Sequence, residues 1–253
     1  MQLTFLGTGT STGVPQIGCS CPVCLSEDTR NKRMRSAVFL QSAEKKVVID
    51  TPPEFRLQCL REGIGAADAV LYTHEHADHL FGIDDIRGFT MLTGAAMPVY
   101  AEKRVAEVIR TSFPYLFRPP VNDSQIPEIC TRGIDGPFDI GDMHIIPFRV
   151  MHGKLPILSY RIGDFVYATD VKSVPEQSLR YFEGVDTLVL DGLRYKEHCS
   201  HFNIEEARAF AERCKPGRCY LTHLSHEVDH GALSNSLPEN VFVAYDGLKL
   251  EVY

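Results

Sequence analysis

No apolar run in this chain approaches the roughly 18 residues that a membrane-crossing helix requires, so no transmembrane helix is expected. The opening residues, Met1 to Gly7, hold neither a basic stretch nor a long apolar core. They read directly as a strand, which argues against a secretory signal and for a cytoplasmic protein. Positive charge is also in short supply. Lysine and arginine number 26 against 33 aspartates and glutamates, a net charge of −7. That balance argues against an extended nucleic-acid-binding face. Linkers and internal repeats are missing too, so residues 1–253 are expected to form a single domain.

Two common phosphate motifs are absent. Gly7-Thr8-Gly9-Thr10-Ser11-Thr12-Gly13 has the spacing GxGxxxG, and no Gly-Lys-Ser/Thr follows. It fits neither a P-loop nor a dinucleotide fingerprint, and reads as a loop packed close to another backbone. A disulfide framework is not expected either. Eight cysteines without a secretory signal point to reduced thiols. Cys59, Cys130, Cys199, Cys214 and Cys219 are scattered and read as small apolar core residues.

What the chain does have is Thr73-His74-Glu75-His76-Ala77-Asp78-His79-Leu80, with three histidines and an aspartate within six residues. It follows the apolar run Ala69-Val70-Leu71-Tyr72, a buried strand by pattern. A turn at the mouth of a strand aims such side chains at one point. Imidazole and carboxylate together suit Zn²⁺, Mn²⁺ or Fe.

The same arrangement recurs along the chain. Residues 37–40 and 46–49 read as a hairpin pair, and a helix starts near Pro52-Pro53 and closes at Gly63. His144 to Phe148 reads as one strand, and a further strand delivers His152. The strand 165–168 ends on Thr169-Asp170, and 187–190 ends on Asp191. Asn203 caps a helix, and 219–221 ends on Thr222-His223. Strand after strand thus terminates in a metal-competent residue. Hairpins alternate with helix-separated runs, so the sheets should be mixed.

His74-x-His76-x-Asp78-His79, followed by His152, Asp170 and His223 in order, resembles the metallo-β-lactamase superfamily over essentially the whole chain. The resemblance implies an α/β fold, an αββα four-layer sandwich of two mixed sheets flanked by helices. It implies that His74, His76 and His152 hold one divalent metal, Mn or Zn. Asp78, His79 and His223 would hold a second, with Asp170 bridging both. Two metals about 3.5–4 Å apart activate a shared water and clamp the oxygens of an in-line displacement. In phosphodiesterases of this superfamily a histidine in the loop before a helix faces the substrate phosphate, a role that falls here to His201. His198 lies three residues earlier. His144, His198 and His230 read as surface residues or residues behind the site.

Cys19-x-Cys21-x-x-Cys24 supplies three soft ligands within six residues. Thiolates this close repel one another without a cation, and they suit Zn²⁺. His226, three residues after His223, is the candidate fourth ligand of this structural zinc. With that second signature the chain resembles the phosphonate-utilisation branch, whose enzyme opens 5-phosphoribosyl 1,2-cyclic phosphate. The motifs shared are residues 7–15, Gly18 to Cys24, the Thr73 to His79 core, the His201 loop and Leu221-Thr222-His223-Leu224-Ser225-His226. Residues 80–140 depart from it, which leaves the exact substrate open.

The expected function is a dinuclear metal-dependent phosphodiesterase on a small phosphorylated substrate, with His201 assisting the leaving group. The competing readings are a ribonuclease, lactonase or thioesterase on the same scaffold, and a non-catalytic metal-dependent binding protein. Residues 111–137, rich in proline and aromatics, read as a lid or a homodimer contact. The run Arg30 to Arg35 reads as a solvated face, or as a contact for a distal phosphate.

Overall fold

A strand buried on both faces needs apolar residues at every position, because successive side chains point to opposite sides. Val47-Val48-Ile49 and Phe165-Val166-Tyr167-Ala168 are runs of this kind, and the computed structural model shows why. Residues 1–118 and 128–253 are described. The first sheet comprises β1 (Gln2–Gly7), β2 (Ala37–Gln41), β3 (Lys46–Ile49), β4 (Ala69–Leu71), β5 (Met97–Ala101), β6 (Ile129–Gly133) and β14 (Lys249–Glu251). The second comprises β7 (Phe138–Ile140), β8 (Met143–His152), β9 (Leu155–Ile162), β10 (Phe165–Ala168), β11 (Thr187–Asp191), β12 (Arg218–Thr222) and β13 (Val241–Val243). Their orders are β14-β1-β2-β3-β4-β5-β6 and β13-β12-β11-β10-β9-β8-β7.

Val47 and Ile49 meet Phe165 and Tyr167 in the core between the sheets. Val48 faces the other way, onto Phe55, Ile83, Val105 and Ile109 from the helices that cover sheet one. Val166 and Ala168 face Ala207, Phe210 and Ala211 on the far side of sheet two. The period of two therefore sorts each run into two cores, and four layers result. Both sheets are mixed. β3 through β6 are parallel and β1 through β3 antiparallel. β10 through β13 are parallel, and β7 through β10 antiparallel.

Parallel strands bring their C-terminal ends to one edge, which is where crevices form in such sheets. The turns after β3, β4, β10, β11 and β12 open there. Helix Ile204–Cys214 starts on the Asn203–Glu206 capping box. Among the described residues no helix is long and apolar enough to cross a membrane.

Several local expectations shift. The two strands expected between His144 and His152 are a single ten-residue strand, β8, whose apolar run is split in sequence by Pro147. Cys199 is exposed, not in the core. His230 is buried, edge-on to Tyr245. Within residues 111–137 lie the helix end Ser112, a 3₁₀ turn Pro114–Phe117 and β6. The remainder of that lid or dimer-contact expectation, residues 119–127, lies outside the described residues. The glycine-rich loop is a close-packed backbone, as expected: a Cβ on Gly7 would sit 2.0 Å from the Arg35 carbonyl oxygen.

Candidate metal centre

Ligand chemistry begins with which nitrogen of each histidine carries its proton. Asp50 follows β3, fully buried. One of its oxygens accepts from His79 Nδ1 at 2.7 Å. The same oxygen accepts from the Thr73 hydroxyl at 2.8 Å, and the other from the Thr73 backbone N–H at 2.9 Å. With its only proton given to Asp50, the Thr73 hydroxyl accepts from His74 Nδ1 at 2.9 Å. His152 Nδ1 donates to the Ser200 carbonyl at 2.8 Å. In their neutral forms all three rings are thereby left with a lone pair on Nε2. Such partners behind a ligating histidine fix its tautomer and raise its basicity.

Those lone pairs converge. His74, His76 and His152 bring ligand atoms within 4.8 Å of one another, and Asp78, His79, Asp170 and His223 form a second such group. His74 Nε2 faces His76 Nδ1 at 3.1 Å. Asp170 lies between the groups. Its Oδ1 is 3.3 Å from His79 Nε2 and 3.4 Å from His223 Nε2. Its Oδ2 is 3.9 Å from both His74 Nε2 and His152 Nε2. One carboxylate oxygen is thus turned to each group.

The donor set fits divalent cations. His79 Nε2 and both nitrogens of His223 are buried without a hydrogen-bond partner among the described residues, a costly state for a polar atom unless something else engages it. Burial opposes the charge on Asp170, but His223 and His79 outweigh it and hold the carboxyl well below the usual carboxylate range. Asp78 is held low in the same way, chiefly by His79 against the penalty of burial. Against the penalty of burial the same two carboxylates raise His79 and His223 in return, so the ionised carboxylates are balanced by imidazole protons that a divalent cation would displace.

His201 borders this shell. Its ring stacks on His223 with centroids 4.8 Å apart and lies 4.5 Å from His152. Its Nδ1 is 3.0 Å from Asp191 Oδ2, at the end of β11. Burial lowers His201 to about 4, while burial and Asp170 raise Asp191. The two titrate as one unit. Whichever partner holds the shared proton, the doubly protonated pair is neutral and presents an N–H at His201 Nε2.

The cysteine cluster also assembles. The short helix Pro22–Leu25 folds Cys24 back over Cys21, whose sulfur accepts from the Cys24 N–H at 3.4 Å. His226 Nδ1 lies 3.3 Å from Cys19 Sγ and 3.4 Å from Cys21 Sγ, and the four residues form one group. The Cys24 N–H and His226 lower Cys21 to about 6. Burial and the adjacent sulfurs push Cys24 up to about 11. Three thiolates here would need a compensating cation, and the Cys₃His donor set fits zinc. Arg33, buried beneath, donates to the Ser225 and Val228 carbonyls and braces the turn that carries His226. Leu224 bridges to Gly9, its carbonyl accepting from the Thr10 N–H and its own N–H donating to the Thr8 carbonyl, so the glycine-rich loop is tied to the segment joining both clusters.

All twelve residues singled out in the sequence fall in these groups or on their border. Asp50 and Asp191 were not singled out as site residues. The signal for both was available, since each stands at the C-terminal end of an apolar strand, as Asp170 does.

The family model described as a beta-lactamase superfamily domain matches residues 45–224. This chain belongs to the metallo-β-lactamase superfamily. Within the superfamily it is 40% identical to a solved structure described as a new diphosphatase from the PhnP family. That alignment has a TM-score of 0.92 and covers 98% of this chain and 96% of the other. Zinc-bound PqqB from Methylobacterium extorquens shares the superfamily fold at a TM-score of 0.81 and 18% identity, covering 100% of both chains. A curated relative named octanoyltransferase, from Porphyromonas gingivalis, is 41% identical over 98% of this chain. This chain spans about half of that relative's length, 51%.

Proposed function

We propose that this chain is a dinuclear metal-dependent phosphodiesterase acting on a small cyclic or diester phosphate. The observation that carries the reading is the two-group donor shell divided by Asp170, with the His201–Asp191 pair at its edge. His74, His76 and His152 would hold one metal, and Asp78, His79 and His223 the other, with Asp170 serving both. Mn²⁺ and Zn²⁺ both suit these nitrogen and oxygen donors, and Cys19, Cys21, Cys24 and His226 would hold a structural zinc. When bound, the divalent pair supplies a water of lowered pKa and neutralises charge gathering on phosphorus.

The chain's own residues do the rest. Asp50, Thr73 and the Ser200 carbonyl hold three imidazoles in the lone-pair-inward orientation. As the water oxygen, one proton given up to solvent, bonds to phosphorus, the bond from phosphorus to the leaving oxygen breaks. His201 Nε2 delivers its proton to that oxygen, and Asp191 keeps the ring aimed. The likeness to the PhnP-family diphosphatase, which spans nearly the whole of that protein, favours phosphoryl chemistry. The name octanoyltransferase belongs to a protein about twice as long, and no residue of the metal centre accounts for it.

The test is turnover by metal-loaded protein of 5-phosphoribosyl 1,2-cyclic phosphate, bis-p-nitrophenyl phosphate, a lactone and a thioester. Phosphodiester cleavage is expected, with His201→Ala lowering kcat roughly 10²- to 10⁴-fold, the usual worth of positioned proton transfer. Hydrolysis of the lactone or thioester alone would sink the reading.

A further inference from the structure

His198 takes no part in the chemistry above, yet it stands at the metal centre's edge. Its ring centroid is 5.2 Å from that of His201, and it is half-buried, not solvated on all sides. It extends outward the row formed by His223 and His201.

Its proton can be placed from geometry. The Ser200 backbone N–H reaches His198 Nδ1 at 3.3 Å. A backbone N–H only donates, so Nδ1 is the acceptor. The Ser200 hydroxyl, 3.2 Å away, joins as a second donor to the same atom. A neutral His198 therefore carries its hydrogen on Nε2. Among the described residues that atom has no protein partner, and it is not buried. Ser200 meanwhile gives its carbonyl to His152. One short segment thus fixes a donor of the metal shell, the proton-delivering His201 and the orientation of His198 in a single frame.

We propose that His198 is a specificity-determining residue whose Nε2–H donates to an oxygen of the substrate's leaving group, next to the scissile bond. This rests on the phosphodiesterase reading and narrows it. The preferred substrate carries a hydroxyl, ring or phosphate oxygen on the departing side, as a sugar phosphate does and an aryl phosphate does not.

The experiment compares kcat/KM for a ribose cyclic phosphate and for bis-p-nitrophenyl phosphate in wild type, His198→Leu and His198→Gln. The ratio of the two constants is expected to fall roughly five- to tenfold in His198→Leu, the value of one neutral hydrogen bond. It should return to within about threefold in His198→Gln, whose amide restores an N–H. An equal fall on both substrates would mean that His198 merely braces His201, and would overturn the proposal. So would an unchanged ratio. Wild type inactive on both phosphodiesters refutes the phosphodiesterase reading itself, an outcome distinct from either of these.

Discussion

Asp50 holds no proposed metal, and replacing it separates the frame of the site from its ligands. It accepts three hydrogen bonds in a fully buried position, from His79, the Thr73 N–H and the Thr73 hydroxyl. Asp50→Ala leaves those three donors without an acceptor. At about 1 kcal/mol each, the low end for a buried orphan, they cost about 3 kcal/mol. Asp50 also sits at φ 66°, where alanine is disfavoured by about 1 kcal/mol. The expected loss is therefore about 4 kcal/mol, a large share of the roughly 5–15 kcal/mol that holds a domain together. Asp50→Asn behaves differently. Asparagine tolerates that backbone and keeps one acceptor, so stability should fall by only about 1 kcal/mol. Its amide nitrogen, however, forces His79 to turn its lone pair inward at Nδ1. The proton then moves to Nε2 and blocks the nitrogen that faces Asp170. Metal affinity should drop roughly 10- to 100-fold. Urea unfolding at fixed metal concentration measures the first effect, and competition with a chelating dye the second. The reasoning fails if Asp50→Asn binds metal as tightly as wild type.

Two further outcomes follow from the same kind of argument. Cys24→Ser should remove one zinc per chain by elemental analysis and lower the melting temperature while the other metals stay; an unchanged metal count would mean that the cysteine group holds none. His230 is kept neutral, its pKa lowered to about 4 chiefly by burial and then by Arg30 and Arg33. An unfolded chain takes up that proton as pH falls below about 6.5, and the fold does not until near 4. Stability should thus be lost progressively from about pH 6.5 downward, by about 2 kcal/mol at pH 5. His230→Gln should flatten that slope in a comparison of melting temperatures at pH 7 and pH 5, and an equal slope in both proteins would refute the assignment.

The architecture is legible in the sequence because the strands advertise both faces at once. Val47-Val48-Ile49 is apolar at every position, which a sheet covered on both sides demands. β8 is less legible, since Pro147 interrupts its pattern although the strand continues through the proline and pairs it with Tyr160. That these histidines are ligands is readable from their order and their places at strand ends, and their division into two groups from the resemblance to the superfamily. The residues that orient them are not. Asp50 is 29 positions from His79, and Asp191 is 10 from His201. A buried carboxylate at a strand end looks alike in sequence whether it faces a metal, a histidine or a turn. Cys199, expected in the core, is exposed for a similar reason, and His230, left open between the surface and a place behind the site, is buried. Composition gives each type an average burial, while the partner that decides the case, Tyr245 for His230, lies 15 residues further along the chain.

Asp50, Asp170 and His223 all leave their strands in the left-handed region, at φ 66°, 58° and 57°. Each such conformation costs of order 1–3 kcal/mol, and glycine is the residue that relieves it. Selection for thermal stability of the metal-free chain would therefore push 170 and 223 toward glycine, each step deleting a group from the centre, while the three hydrogen bonds that Asp50 accepts would keep it in place. The tolerated alphabet at each position is the overlap of two short lists, residues that accept this backbone and residues with a usable donor or acceptor atom. A library of metal-free protein enriched only by heat should accumulate glycine at 170 and 223, keep Asp50, and lose activity together with metal. One enriched by turnover should leave them fixed and diversify residues 80–140 instead.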